Sequence, residues 1–248
     1  MTDGAPTAEP ASFEPDLASW DAWRPEEVAR RLASVRAPWR IVAGWAIDLF
    51  LGRQRRAHED IEIGVPADRF GEVAAALAGY DLFVVGGPPG RAWPLAEAGA
   101  LLPVHHQTWV REPATGRWRL DIFREPAAGG AWVCRRDARL RLPYDRLIER
   151  AGDGIPDAAP EVVLLFKAKA ARPKDEADFA AVLPLLDPER RTWLRAALAS
   201  VHPGHRWLDE LRPRFRTASL SFAVGADDNA TIGRKRRVPP VPAKEESS

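Results

Sequence analysis

A single cysteine, Cys134, stands in a chain of 248 residues. One thiol excludes an internal disulfide and a cysteine-rich zinc site, and it fits a reducing cytoplasm. An excess of charge is missing as well. The 36 Lys and Arg face 35 Asp and Glu, for a net +1, which argues against a surface built throughout to hold nucleic acid. Long apolar runs are absent: stretches such as residues 162–166 fall well short of the ~20 residues of a membrane span. The acidic, proline-rich N-terminus has neither the basic nor the apolar region of a signal peptide, so the sequence predicts a soluble, cytoplasmic protein without membrane contact. There is no GxxxxGK[ST], no GxSxG and no HExxH, which closes the motif routes to P-loop NTPases, α/β-hydrolases and zincins.

What is present is ordinary for a globular protein, 46% hydrophobic and 29% charged, in a length that suits one large domain or a core with a smaller helical companion. Prolines 6, 10 and 15 interrupt residues 1–24, which read as a flexible lead-in. A helix over 25–35 is predicted by Pro25 at its first position and by Val28, Leu32 and Val35 at helical spacing. A short strand over 39–44 then ends on Gly44, and a helix over 45–51 stops at Gly52. Residues 60–65 alternate polar and apolar, as a half-buried strand does. Further strands are expected over 80–85, 105–112 and 117–123, the last two as a hairpin. Helices follow over 161–171, 174–186 and 188–201, with a last piece near 207–211. The expected division is a core over 25–152, a helical region over 153–211 and a tail over 212–248. That tail carries eight Lys and Arg against four Asp and Glu, with a basic run at 234–237; it reads as disordered and suited to a polyanion, leaving the body mildly acidic.

The chemistry lies in carboxylates. Asp60 and Glu62, two residues apart on a strand, point to one side while Ile61 and Ile63 turn inward. Converging carboxylates repel unless a cation lies between them, and hard oxygen ligands suit Mg2+. Asp121 lies in the middle of an apolar strand, where a bare carboxylate is costly and calls for a partner. Upstream, Gly44 at the start of a helix offers backbone N–H groups to an anion, and Arg53, Arg55, Arg56 and His58 supply positive charge. A phosphate-holding turn, paired carboxylates and a third carboxylate are the parts needed for nucleotidyl transfer with two metal ions.

The residues of 41–53, continued by Arg56-Ala57-His58-Glu59-Asp60-Ile61-Glu62-Ile63 and by Leu120-Asp121-Ile122-Phe123, resemble the aminoglycoside and lincosamide nucleotidyltransferases of the polymerase-β-like superfamily. The likeness extends more diffusely through residues 166–169 and 172–179. It implies an α/β (α+β) fold, a mixed, twisted sheet flanked by helices and followed by a helical region. It also implies an enzyme that moves a nucleoside monophosphate, AMP from ATP, onto a hydroxyl of a small aminoglycoside-type acceptor and releases pyrophosphate. On that reading Asp60 and Glu62 hold Mg2+, and Asp121 completes the metal site or deprotonates the hydroxyl. Gly44 and the Trp45 amide lie near the phosphates, with Arg53, Arg56 and Lys167 as counter-charges. Two other readings stay open: a nucleotidyltransferase-like toxin acting on tRNA or protein, and a non-catalytic binding protein that keeps the fold. Relatives carry Gly-Gly or Gly-Ser at the turn, where this chain has Ala43-Gly44 followed by Trp45.

Other residues weigh less. His58 is expected to cap a loop or touch phosphate, and Asp48 to anchor the basic loop or sit exposed on its helix. Adjacent His105 and His106 point to opposite faces if they lie on a strand, so one of them faces the cleft. Trp39, Trp45, Trp118 and Trp132 are assigned to the core, and Cys134 to an inert site.

Overall fold

A computed structural model describes residues 11–87, 90–150, 152 and 154–212. The strands are β1 (Arg40–Ile41), β2 (Glu62–Pro66), β3 (Asp81–Gly86), β4 (Arg91–Pro94), β5 (Gln107–Arg111), β6 (Trp118–Glu125), β7 (Ala127–Ala128), β8 (Ala131–Val133), β9 (Arg141–Pro143), β10 (Ile148–Arg150) and β11 (Pro156–Ala158). The helices are α1 (Pro25–Arg31), α2 (Ala43–Phe50), α3 (Phe70–Ala76), α4 (Tyr144–Leu147), α5 (Pro160–Lys167), α6 (Pro173–Val182), α7 (Pro188–Val201) and α8 (Trp207–Glu210). Eight strands form one sheet in the order β10-β11-β1-β2-β6-β5-β3-β4, and β7-β8-β9 form a second, smaller sheet. The large sheet is mixed, since β1 pairs with β11 and β2 with β6 in parallel while the other neighbours run antiparallel. It is therefore the mixed sheet flanked by helices that the sequence implied.

The centre of the sheet follows from the alternation read in the sequence. Ile61, Ile63 and Val65 are fully buried, as are Leu120 and Ile122 on the neighbouring strand. Parallel pairing in register sets Glu62 opposite Asp121 and Gly64 opposite Phe123. Antiparallel pairing sets Trp109 opposite Asp121 and Gln107 opposite Phe123. Directly paired residues share a face, so Glu62, Asp121 and Trp109 lie side by side on one side of the sheet. Trp39, Trp45, Trp118 and Trp132 are buried, as expected of core residues, and Cys134 is buried and free.

Two segments differ from the expectation. Residues 11–24 do not behave as a loose lead-in. Phe13 bridges to Ala92 and Trp20 to Trp118, and their rings pack edge-on against Phe83 and Trp109 at 5.3 and 5.1 Å. Aromatic burial there outweighs the helix-breaking prolines, which disfavour a helix and not an extended strip of chain. The sheet also continues past residue 152. Pro156–Ala158, three buried residues, insert as β11 between β10 and β1, so the helical region opens at Pro160 and packs on the core. The predicted lead-in at residues 1–10 and the basic tail beyond residue 212 lie outside the described residues. Among the described residues no helix is long and apolar enough to cross a membrane.

Candidate active site

The turn between β1 and α2 comes first. Ala43 opens α2 with φ of 55°, the only non-glycine residue at positive φ among the described residues. This is the place where relatives carry the first glycine, and an L side chain there strains the backbone. Gly44 follows, and a Cβ on it would press on the guanidinium of Arg56 and come within 2.9 Å of the His58 ring. Only glycine fits that packing, and a serine hydroxyl has no room. No side chain caps the start of α2, so its first N–H groups are available to an anion.

The carboxylates lie beside this turn. Glu62 is partly buried, and burial, followed by the charges of Asp60 and Asp121, pushes its carboxyl well above the ordinary glutamate value, with Lys167 opposing. Asp121 is 6% exposed. Burial raises its pKa to about 7, against the Gln107 amide, which donates to Oδ2 at 2.7 Å. The Trp109 side chain also favours the charged form as a hydrogen-bond partner, and the other oxygen, Oδ1, is buried. A buried carboxylate beside two others that raise one another's proton affinity is a concentration of negative charge that favours a cation or a proton. Among the described residues no three His, Cys, Asp or Glu groups converge as metal ligands; hard oxygen donors such as these suit Mg2+ in kind.

A cavity of about 470 Å3 opens from the turn and Glu62. Its walls include Val42, Ala43, Phe123, Val162 and Phe166, and its charged lining is mostly basic: Arg40, Arg135, Arg136, Lys167, Lys169 and Arg172. Arg135 was not picked out by the sequence reading. Its guanidinium lies 5.4 Å from both the Phe123 and Phe166 rings, and burial lowers its pKa against the pull of Glu125 and Asp121. No motif marks it, because it follows β8, which is remote in sequence from every residue it meets.

The counter-charges read from the sequence separate. Lys167 lines the cavity but is bound, its Nζ lying 2.7 Å from Asp175 Oδ1 and 2.9 Å from Asp178 Oδ2. Arg56 packs on Gly44, with Nη1 donating to the Ala57 carbonyl at 3.1 Å. Arg53 stands apart. It is exposed beyond the end of α2 and lines a different hollow, together with Trp45. The Trp45 ring turns from the nucleotide side to stack on His58 at 4.3 Å, which leaves its backbone amide as the group near the turn.

His58 and Asp48 are resolved by the same packing. Asp48 is 2% exposed and not on an open helix face. It accepts from the Arg55 amide at 3.1 Å and Arg55 Nε at 3.2 Å, and it lies 2.8 Å from His58 Nε2. Burial lowers the His58 pKa, with Asp48 opposing. Arg55 then pairs with Asp178, which completes a chain of ion pairs from beneath the turn, through α6, to Lys167 in the cavity wall.

Residues 26–86, which carry the turn and β2, match the model of the family described as aminoglycoside-2''-adenylyltransferase. Among solved structures, the antibiotic-resistance factor ANT(2'')-Ia in solution is 18% identical with a TM-score of 0.48, covering 71% of this chain and 89% of that one. The lincosamide antibiotic adenylyltransferase LnuA with lincomycin bound is 19% identical with a TM-score of 0.46, over 65% and 95% of the two chains. ANT(2'')-Ia in complex with adenylyl-2''-tobramycin is 19% identical with a TM-score of 0.40, over 75% and 91%. No curated protein matches the chain.

Proposed function

We propose that this protein transfers a nucleoside monophosphate, AMP from ATP, onto a hydroxyl of a small antibiotic-type acceptor and releases pyrophosphate. The observation that carries this reading is the register pairing of Glu62 with buried Asp121, Glu62 lining a mostly basic cavity beside the uncapped start of α2. A triphosphate fits the cavity by charge, its oxygens meeting the first amides of α2 and the cations of α5 and its neighbours. Asp60, Glu62 and Asp121 are the residues that would hold Mg2+, which when bound neutralises charge on the phosphates and on the attacking oxygen.

The rest is positioning by the chain. The acceptor oxygen forms a bond to the α-phosphorus as the bond from that phosphorus to pyrophosphate breaks. Asp121 lies on the acceptor side of Glu62 and is poised to take the hydroxyl proton. Arg135, Lys169 and Arg172 line the path of the departing anion.

The test is pyrophosphate release by purified protein with Mg2+ and ATP across a panel of hydroxylated antibiotics. Asp60→Ala is expected to reduce release to background. A wild-type signal no higher than that of Asp60→Ala across the panel would overturn the small-molecule reading.

A further inference from the structure

A second cavity, of about 450 Å3, is lined by Glu14, Leu17, Val104, His106, Gln107 and Trp109, among others. Gln107 holds Asp121 through its 2.7 Å hydrogen bond, and Trp109 is the register partner of Asp121 on β5. Asp121 itself lines neither cavity, but its neighbour Glu62 lines the first and its partners Gln107 and Trp109 line the second. The two cavities differ in character. The first is rich in Arg and Lys, whereas among the described residues no Lys or Arg lines the second and Glu14 is its sole carboxylate. Leu17 and Val104, two of the three large hydrophobic residues that stand exposed among the described residues, both belong to its wall at 66% and 70% exposure. The Trp109 side chain lies against Asp121 and, as a hydrogen-bond donor, favours its charged form. The His106 ring stacks on Phe123 at 5.9 Å, and burial and nearby arginines bring its pKa down to about 4, so it adds no charge at neutral pH.

We propose that this second cavity receives the acceptor and that it selects a hydroxylated molecule with an apolar face and no more than one amine, in preference to a polycation. The assignment rests on the nucleotidyl transfer proposed above. A polyamine needs several carboxylates to replace the water it loses on binding, and one acid cannot supply them. An apolar face, by contrast, gains from covering Leu17, Val104 and Trp109. The Gln107 side chain, one N–H of which holds Asp121, has a second N–H and a carbonyl oxygen with which to orient a hydroxyl toward that carboxylate. The N-terminal strip thus serves the site directly, by carrying Glu14 and Leu17 to its rim.

Wild-type protein with Mg2+ and ATP is assayed for pyrophosphate release with lincomycin, which has a single basic amine and an apolar tail, and with tobramycin, a polyamine. The expected kcat/KM favours lincomycin by about tenfold or more, the effect of burying one to two aliphatic groups. Leu17→Asp and Val104→Asp change exposed side chains that the fold does not need. Each is expected to raise the lincomycin KM about tenfold while the ATP KM stays put. Equal or better use of tobramycin overturns the selectivity and leaves the transfer reading intact. Release no higher than that of Asp60→Ala with both compounds overturns the transfer reading, and the cavity is then judged on binding followed by tryptophan fluorescence. Saturable lincomycin binding that Leu17→Asp weakens supports it. Absence of lincomycin binding, or tighter tobramycin binding, overturns it.

Discussion

Asp121 and Ala43 each carry a cost that the site makes useful. In the metal-free protein, burial holds the Asp121 carboxyl near pH 7, whereas an unfolded aspartate ionises near 4. The raised folded-state value means that the folded chain keeps its proton while the unfolded chain has lost it. Stability is therefore full below about pH 4 and falls as pH rises toward about 7, where the penalty levels off. Asp121→Asn removes the charge and keeps the Gln107 contact within reach, so metal-free unfolding by urea is expected to lose this dependence and the variant to exceed wild type at pH 8. Added Mg2+ should stabilise wild type at that pH and not the variant; a wild type indifferent to both pH and Mg2+ would sink the argument. Ala43 is the second case. Its φ of 55° costs about 1 kcal/mol for a residue with a Cβ, and Ala43→Gly is expected to regain about that much stability at a position glycine adopts freely. Retained activity with a higher melting temperature would confirm it. Equal or lower stability would show that the turn is not under strain.

At the scale of elements, the ion-pair chain joins helix α2, the basic loop and α6. Asp178 is 1% exposed and neutralises both Arg55 and Lys167. Asp178→Asn takes one of two carboxylates from each cation, leaving Arg55 with Asp48 and Lys167 with Asp175, and losing charge-assisted hydrogen bonds in this way costs about 1.5–3 kcal/mol. Equilibrium denaturation measures it, and a loss under about 0.5 kcal/mol would make the chain of pairs incidental. The same network shows what could be read from sequence and what could not. The strands of Glu62 and Asp121 were legible because alternation has a period of two and marks its own buried face, whereas Asp60, read as part of the strand over 60–65, stands exposed just ahead of β2. Gly44 was legible because a glycine between a strand and a helix has few other uses. The partners of Lys167 were not, since Asp48, Arg55 and Asp178 meet only through the fold. β11 escaped for a different reason: three residues between a glycine and a proline have no period, and their strand character comes wholly from β1 and β10 on either side.

Across the whole molecule, the site depends on a sheet whose two ends are closed by different parts of the chain. On the β10-β11-β1 side, α5 lines the basic cavity and α7 packs on α5, with Leu194, Ala197 and Leu198 buried at helical spacing. At the β4 end there is no such helix, and residues 11–24 supply the cover. Phe13 pairs with β4 and Trp20 with β6, packing on Phe83, Trp109 and Trp118. The Asp21 carboxylate and carbonyl hold Arg119 from the same strip. Removing residues 1–24 would expose this aromatic cluster and leave β4 with a bare edge. Loss of buried Trp23 together with the partly buried Phe13 and Trp20 corresponds to about 5 kcal/mol or more, or a fall in melting temperature of about 10 °C or more for a chain of this size. Because Glu14 and Leu17 leave with the strip while the basic cavity keeps all of its lining, acceptor KM should rise in the truncated protein more than ATP KM does. A truncated protein that melts within about 2 °C of the full chain would mean that the strip covers the sheet without stabilising it.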